Sequence, residues 1–524
     1  MRKPSMLRIF RTARSLALVL FTTAVLPLQS CTDLTETPTS SITPGNFFQT
    51  EEEVLAGLAG VYSILRSSIN NAYYFWLSEI PTDEIIIPTR GQDWYDNGTW
   101  LELHRQTWAA SSPSEQWQIN GAWVDGFTGI ARANLLLQAL TTTSIPDQKA
   151  IEAELRTLRA FYYYMLMDLF GGVPIVTTTE VKARPRNTRA EVFKFIEEEL
   201  QAARLDLPDR WPATSNGRLP KGAADAILAN MYLNAQVFTG TVSGGGLQRG
   251  TARWQDAVDV ADRILNAGVY VLAADWRSNF TPNNESSPEN ILVVKMLAQE
   301  GLGLWITMYS LHYNQLSPSP ANGPSTLAET YYAFDPDDLR RQIFLVGPQF
   351  NLETGEPAYD RSGQRLVFTP EIRDALQATE GEGARPNKWP PDPSHSGYDH
   401  GNDFAYFRLA EIYLIKAEAL NELGRTGEAV QLLNTLRARV FDPPKPVTAS
   451  GQTSVRELIL RERLFELTFE AKRRQDLIRY GRFTLPWSTT MLNGKEQREP
   501  YRILMPIPQT QMDANPLLVQ NPGY

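Results

Sequence analysis

Between Arg90 and Trp100 the chain reads Arg-Gly-Gln-Asp-Trp-Tyr-Asp-Asn-Gly-Thr-Trp, which interleaves three aromatic rings with hydrogen-bonding groups. Those residue types suit recognition of a sugar. A pyranose presents an apolar C–H face that stacks on an indole or phenol, as Trp94, Tyr95 and Trp100 could offer. Its hydroxyls pair with groups such as Arg90, Asp93 and Asn97. By analogy with base stacking, each aromatic platform would contribute about 1–3 kcal/mol. Glycines 91 and 98 stand at the two ends, where they let the backbone turn. A second group, Trp305, Tyr309 and Tyr313, falls at i, i+4 and i+8, a spacing that puts the three rings on one helical face. Trp389 and Tyr398 lie in a Pro/Gly-rich stretch and form a third, weaker group. The competing expectation is that these rings are core anchors, since large aromatics are usually buried.

Catalysis would need an arranged set of reactive groups, and the familiar spacings are missing. The chain has no His-Glu-x-x-His, no Gly-x-x-x-x-Gly-Lys-Ser/Thr and no Gly-x-Ser-x-Gly. Its four histidines are His104, His312, His395 and His400. The segment from His395 to His400 contains ligand-type residues, but its Gly and Ser favour a solvated loop. Asp335-Pro336-Asp337-Asp338 lacks the distal bidentate Glu of a calcium loop and reads as a cap feeding Leu339-Arg340-Arg341. Glu462, Glu466, Glu470 and Arg474 form an i, i+4 stripe that reads as ion pairing with Arg473, Arg474 and their neighbours. No metal site, cofactor or catalytic residue is expected. A pair of carboxylates for glycoside hydrolysis stays open at this point, because their separation belongs to the fold.

The chain has 524 residues and a single cysteine, Cys31. Ahead of it lie Arg2, Lys3, Arg8, Arg11 and Arg14 with no acidic residue, then an apolar run from Leu16 to Leu28. That run has the length of a signal-peptide core and is too short for a mature membrane helix. Leu28-Gln29-Ser30-Cys31 has the layout of a lipobox, with Gln29 unusual at its position. Residues 1–30 therefore read as a lipoprotein signal, with Cys31 as the acylated residue and the only membrane attachment. Removing them takes five positive charges from a chain of net charge −9, leaving −14. A body so acidic, with no polybasic patch, should repel nucleic acid and anionic lipid.

Elements must then hold the aromatic segments in place. Residues 31–46 are rich in Thr, Ser, Pro and Asp and read as a tether. Beyond them the best-patterned segments are helices in pairs. Ile151, Leu155, Leu158, Tyr162, Met165 and Leu169 mark one face, stopped by Gly171-Gly172 and Pro174; its partner opens on the capping box Thr188 to Glu191. A second pair carries Ala224, Ile227 and Met231, then Ala257, Val258, Ala261 and Ile264, around a Gly-rich insertion from Gly240 to Gly250. A third carries Leu409, Ile412, Ala417 and Leu420, followed after Leu423-Gly424 by a helix that Thr426 would cap. A fourth would begin near Val455 and run through Phe465 and Phe469 into a helix around Leu477. Small residues at close approaches and Leu-Gly at a turn are tetratricopeptide features, although the 34-residue period is lost. The stretch from Asp275 to Asn402, with one strand-like run from Ile291 to Leu297, reads as an ordered loop-built subdomain. The fold class is thus mainly α: about four tetratricopeptide-like pairs, a loop-rich ligand-binding subdomain and little β. An N-terminal region of 47–270 and a C-terminal region of 271–524 would share one compact body.

Several blocks in order resemble the SusD/RagB family of outer-membrane nutrient-binding lipoproteins. They are Phe47-Phe48-Gln49-Thr50-Glu51-Glu52-Glu53 to Gly60-Val61-Tyr62, then Leu155 to Tyr162 with Leu169-Phe170-Gly171-Gly172-Val173-Pro174. Further on come Arg408-Leu409-Ala410-Glu411-Ile412-Tyr413-Leu414, Glu462-Arg463 through Phe469-Glu470 to Arg473, Asp476-Leu477 and Gly481, and the closing Pro506-Ile507-Pro508 and Gln520 to Tyr524. The resemblance implies an α-helical body with four tetratricopeptide-like pairs. It also implies a cell-surface lipoprotein that lids a SusC-like TonB-dependent transporter and passes it oligosaccharides, or in some relatives oligopeptides. The place of the Arg90–Trp100 segment resembles where the family carries ligand contacts. Ala471 stands where the family pattern has Gly, a departure expected to affect packing only. The reading is a non-catalytic glycan-capture protein. Oligopeptide binding and a tethered glycoside hydrolase are the alternatives.

Overall fold

Thirteen helices and one two-stranded ladder carry the architecture that follows. In chain order they are α1 (Glu51–Asn70), α2 (Tyr74–Glu79), α3 (Thr99–Arg105), α4 (Asn120–Ala139), α5 (Gln148–Phe170), α6 (Arg189–Ala203), α7 (Lys221–Leu233) and α8 (Trp254–Asn266). Then come β1 (Asn290–Val294), α9 (Ile306–Ser310), β2 (Phe404–Arg408), α10 (Leu409–Glu422), α11 (Thr426–Arg437), α12 (Gln452–Leu467) and α13 (Arg473–Arg479). The computed structural model describes residues 47–71, 73–487 and 490–524, of which those from Phe48 onward form one compact unit. Cys31 and the tether lie outside the described residues.

Four helix pairs follow one another: α1 with α4, α5 with α6, α7 with α8, and α10 with α11. Each forms for local reasons. Thr50 accepts a hydrogen bond from the Glu53 N–H while the Glu53 carboxylate accepts from the Thr50 N–H, so α1 starts on a reciprocal cap. It buries Val54, Leu58, Val61, Leu65 and Ile69, one apolar stripe at helical spacing, each side chain contributing about 1.5–3 kcal/mol on burial. Thr188 and Glu191 cap α6 in the same manner. Helix α5 is buried on almost every side, including Tyr162, Tyr163 and Tyr164, and sits at the centre of the body. Glycines 126 and 129 of α4 admit Leu166 and Tyr162 of α5, whose atoms occupy the space a Cβ would need.

The first pair, α1 with α4, escapes the periodicity reading, because α4 alternates apolar residues with Gly, Asn and Thr. The C-terminal segment also differs from expectation. α12 packs on α10 and α11, and Phe469 lies beyond its end. Thr426 is the first residue of α11 and its hydroxyl donates to the Asn421 side chain, so it caps nothing. The Gly240–Gly250 insertion is a short hairpin, Thr241–Ser243 against Gly246–Gln248. The strand-like run is β1, ending at Val294 and paired antiparallel with β2.

Between α12 and α13, Phe469 and Ala471 adopt φ of 69° and 59°. Their N–H groups donate to the buried carboxylates of Glu84 (2.8 Å) and Glu79 (2.6 Å), which holds the turn. Ala471 therefore carries conformational strain, where the sequence suggests only a packing difference. A left-handed Ala costs about 1–2 kcal/mol, offset in part by the extra unfolded-chain freedom of Gly. Ala471→Gly should raise stability by about 0.5–1 kcal/mol, read as a higher urea midpoint at unchanged slope.

The acidic stripe that runs from α12 into the turn after it does form ion pairs, but with other partners than its sequence neighbours. Glu466 meets Arg340, Arg408 and Arg439 at 2.9, 2.8 and 2.6 Å; Glu462 meets Arg437 at 2.9 Å; Glu470 meets Arg408 and Lys388. Arg473 turns instead to Asp83 and Arg474 to Asp168. Asp338 caps the short helix after it, as the sequence suggests, and its carboxylate also clasps Arg340. Five cationic side chains (Arg340, Lys388, Arg408, Arg437 and Arg439) and four carboxylates (Asp338, Glu462, Glu466 and Glu470) are thereby gathered around the 3-10 turn at 339–343, β2 and α12.

Candidate functional site

Two adjoining cavities open beside the aromatic segment. The first, about 340 Å³, is lined by Asn71, Tyr73, Trp76, Ile87, Trp94, Asp96, Trp100, Trp117 and Tyr309. The second, about 360 Å³, shares Asp96 and Trp117 and adds Asn97, Thr99, Pro113 and Gln116. Trp117 separates the two and is 44% exposed.

The walls come from far-separated parts of the chain. Residues 90–93 close a tight turn through reciprocal backbone bonds between Arg90 and Asp93. Trp94, Asp96 and Asn97 then take φ of 61°, 38° and 57°, ahead of Gly98 at 83°. Three left-handed non-glycine residues within four positions is stored strain of the kind that clusters at ligand sites. The strain is held by contacts. The Trp94 indole N–H donates to the Ala321 carbonyl at 2.7 Å, and the Trp100 indole N–H to Asp96 Oδ2 at 2.6 Å. The Asp93 carboxylate accepts from the Tyr313 hydroxyl at 2.6 Å and pairs with Arg361 at 2.9 Å. Trp117 sits on a π-helical turn, Glu115–Ile119, anchored by the Glu115 carboxylate, which accepts from the N–H groups of Ser111 and Gln509. Single π turns of this kind recur at functional sites.

The rings form a continuous arc. Trp117 meets Trp100 at 5.4 Å, Trp100 meets Trp94 at 5.5 Å and Trp94 meets Tyr309 at 6.0 Å, all edge to face. Trp76 of α2 and Trp305 stand on Tyr309 at 6.0 and 6.3 Å. Edge-to-face packing fixes each ring's tilt, so the arc is preformed. Burial raises the Tyr309 phenol to about 12, with nearby Tyr398 adding to the shift, and it stays neutral with its proton at neutral pH.

Of the residues singled out from sequence, Trp94, Trp100, Asn97 and Tyr309 line the cavities. Asp93 acts from behind, through Tyr313 and Arg361. Tyr95 is 52% exposed on the same loop without lining either cavity. Arg90 is a correction. Its guanidinium is buried and donates to the carbonyls of Asn322, Thr379 and Glu382 and to the Ser325 hydroxyl, so it builds the loop's floor and has no face for a ligand. Trp305 also lies outside the cavity lining. Its ring N–H is taken by Asp399 at 2.7 Å and its backbone N–H by Asn70 at 3.1 Å, so it buttresses Tyr309. The expected helical face is cut short, because α9 ends at Ser310 and Tyr313 falls beyond it. Trp389 is core, stacked on Phe404 at 5.3 Å. His400 is buried, and its Nδ1 accepts from the Asp392 N–H. Asn71, Tyr73, Trp76, Ile87, Asp96 and Trp117 were not singled out. The polar neighbours of Trp117 give no reliable signal of its exposure, since Glu115 and Gln118 are buried and only Gln116 faces solvent.

Gly323 decides where the arc can stand. A Cβ there would overlap the Trp94 six-membered ring. Gly323→Ala should push the indole off its seat and break its bond to Ala321. A blue-to-red change in tryptophan fluorescence and at least tenfold weaker ligand binding are expected, with the far-ultraviolet spectrum unchanged.

A tetratricopeptide-like body of paired helices, with a preformed aromatic arc on its loops, defines the class of this molecule. Comparison with known proteins supplies the family. A model described as the SusD family matches residues 369–524, and one described as "Starch-binding associating with outer membrane" matches residues 54–233. The chain is 26% identical over 539 residues to SusD-like protein P25 of Formosa agariphila, covering 94% of this chain and 97% of that one. It is 24% identical over 500 residues to the starch-binding protein SusD of Bacteroides thetaiotaomicron, covering 86% and 85%. Surface glycan-binding protein A of Bacteroides thetaiotaomicron, solved in complex with laminarihexaose, superposes with a TM-score of 0.71 at 19% identity, covering 90% of this chain and 99% of that one. This chain belongs to the SusD/RagB family.

Proposed function

We propose that the protein captures oligosaccharides at the cell surface and delivers them to a SusC-like TonB-dependent transporter, without catalysis. The observation that carries the reading is the arc of Trp117, Trp100, Trp94 and Tyr309 around two open cavities, beside polar Asn71, Asp96, Asn97 and Gln116. Aromatic rings next to amide and carboxylate groups complement the two kinds of surface that a sugar presents. The names of the relatives, a starch-binding protein and a laminarihexaose complex among them, support the same ligand class.

The lining argues against hydrolysis. Glycosidases use two facing carboxyl groups about 5–9.5 Å apart. Among the described residues, Asp96 is the only carboxylate lining either cavity, and it is tied to the Trp100 indole, while Asp93 is tied to Tyr313 and Arg361. Titration calorimetry against a glycan panel, run beside an assay for new reducing ends, tests both halves. Binding heat with no new reducing ends is expected. Appearance of reducing ends would return the hydrolase.

Delivery implies an anchor and a partner. Among the described residues no helix is long and apolar enough to cross a membrane. Acylation of Cys31 would supply the anchor, and two or more acyl chains hold a protein on a bilayer stably. Cys31→Ala should release a folded protein into the soluble fraction. Sedimentation of the variant with membranes after a salt wash would refute the anchor. A lid on a transporter must bury more than the about 1,200–2,000 Å² of an ordinary complex, so the helical body would form part of that face. Co-purification with a large barrel protein from native membranes is the corresponding check.

A further inference from the structure

Among the described residues, every group lining the two cavities is uncharged except one, and that one is acidic. No Lys, Arg or His appears among the described lining residues, and the single ionisable group shared by both cavities is the exposed Asp96 carboxylate. Its Oδ2 accepts the Trp100 indole N–H, and its side chain makes no other hydrogen bond among the described residues. The guanidinium groups that reach this loop are already neutralised or sequestered. Arg361 pairs with Asp93 at 2.9 Å and Glu380 at 2.5 Å while lying over the Tyr313 ring. Arg90 is buried under the loop with carbonyl and hydroxyl acceptors for its donors.

A sulfated or uronic-acid chain needs cations where its anionic groups land, commonly Arg in bidentate geometry. Here such a group would enter a cavity walled by indole and phenol rings and meet a carboxylate. Its hydration would be lost without replacement, and the repulsion would be strengthened by the low-dielectric walls. Hydroxyls, by contrast, can donate to Asp96 and exchange bonds with Asn71, Asn97 and Gln116. We infer that this site takes uncharged glycans and excludes acidic ones, with Asp96 as the discriminating residue.

The inference rests on the carbohydrate reading above, and its test separates the two. The full chain would be run on a glycan array that pairs neutral β-glucan and α-glucan oligosaccharides with their sulfated and C6-oxidised (uronate) derivatives. Affinities of the bound pairs would then be measured by calorimetry at about 50 mM and 500 mM salt. The expected result is that each bound neutral chain is held at least tenfold more tightly than its acidic counterpart. The ratio should narrow at high salt, where the shorter screening length weakens repulsion. Asp96→Asn, which keeps an acceptor for Trp100, should narrow the ratio at least threefold at low salt. Retention of acidic chains at equal or greater affinity, lost in Trp117→Ala, would overturn this inference and leave carbohydrate binding standing. Retention of no chain at all would overturn both.

Discussion

Trp117→Ala should weaken glycan binding by about 1–3 kcal/mol while leaving the melting temperature in place, and Trp100→Ala should do the reverse in proportion. The two indoles touch at 5.4 Å, yet they differ in what they offer to solvent. Trp117 is 44% exposed, so its truncation removes a platform and little packing. Trp100 is 3% exposed and is wedged between Trp94 and Trp117, with its N–H on Asp96. Its removal opens a cavity in the loop's own core, with an expected cost of about 3–5 kcal/mol of folding stability. It also frees the Asp96 side chain, so binding falls because the loop loses its form. Trp94 stands between these cases, half-buried against Gly323. Calorimetric titration beside thermal unfolding separates the three. A large drop in the melting temperature of Trp117→Ala would sink the platform assignment.

Arg408→Met should destabilise the fold by about 3–5 kcal/mol, the scale for breaking a buried ion pair from one side. Arg408 is fully buried at the junction of β2 and α10, and its guanidinium pairs with Glu470 and Glu466 at 2.8 Å and Glu289 at 3.4 Å. Methionine fills the volume but leaves those carboxylates short of one positive charge in a dry interior. The same network fixes the response to acid. Burial pushes the Glu466 carboxyl upward, but Arg439, Arg408 and Arg340 outweigh it and hold the group well below its ordinary 4.5. A folded-state value below the unfolded one means stability that is complete above about pH 4.5 and is lost as pH falls toward the folded value. Urea unfolding from pH 7 to pH 3 should show that loss in the wild type. In Arg408→Met the loss should be shallower, because the Glu466 carboxyl then has less to lose on protonation. An unchanged midpoint at pH 7 would show that the surviving Arg340, Arg439 and Lys388 compensate fully.

The sequence by itself determined the helical class, three of the helix pairs and the segment that carries the aromatic loop. Those features are local: apolar spacing at 3.6 residues, caps such as Thr188 with Glu191, and rings interleaved with polar groups between two glycines. Tertiary structure alone decided which rings face outward, because exposure depends on partners distant in sequence. Trp94 is positioned by Ala321 and Gly323, Trp305 by Asn70 and Asp399, and Trp117 by a π turn whose Glu115 reaches Gln509. Arg90 looked like a ligand group because a guanidinium usually seeks solvent or an anion. It lies under the loop because four oxygen acceptors from residues 322–382 converge there. Ala471 looked like a packing variant because a backbone angle leaves no mark on composition. The stripe of Glu462, Glu466 and Glu470 declared that charge would be paired, but helical spacing says nothing about the far side of an interface. Its partners, Arg340, Arg408, Arg437, Arg439 and Lys388, come from other segments that only folding brings to α12.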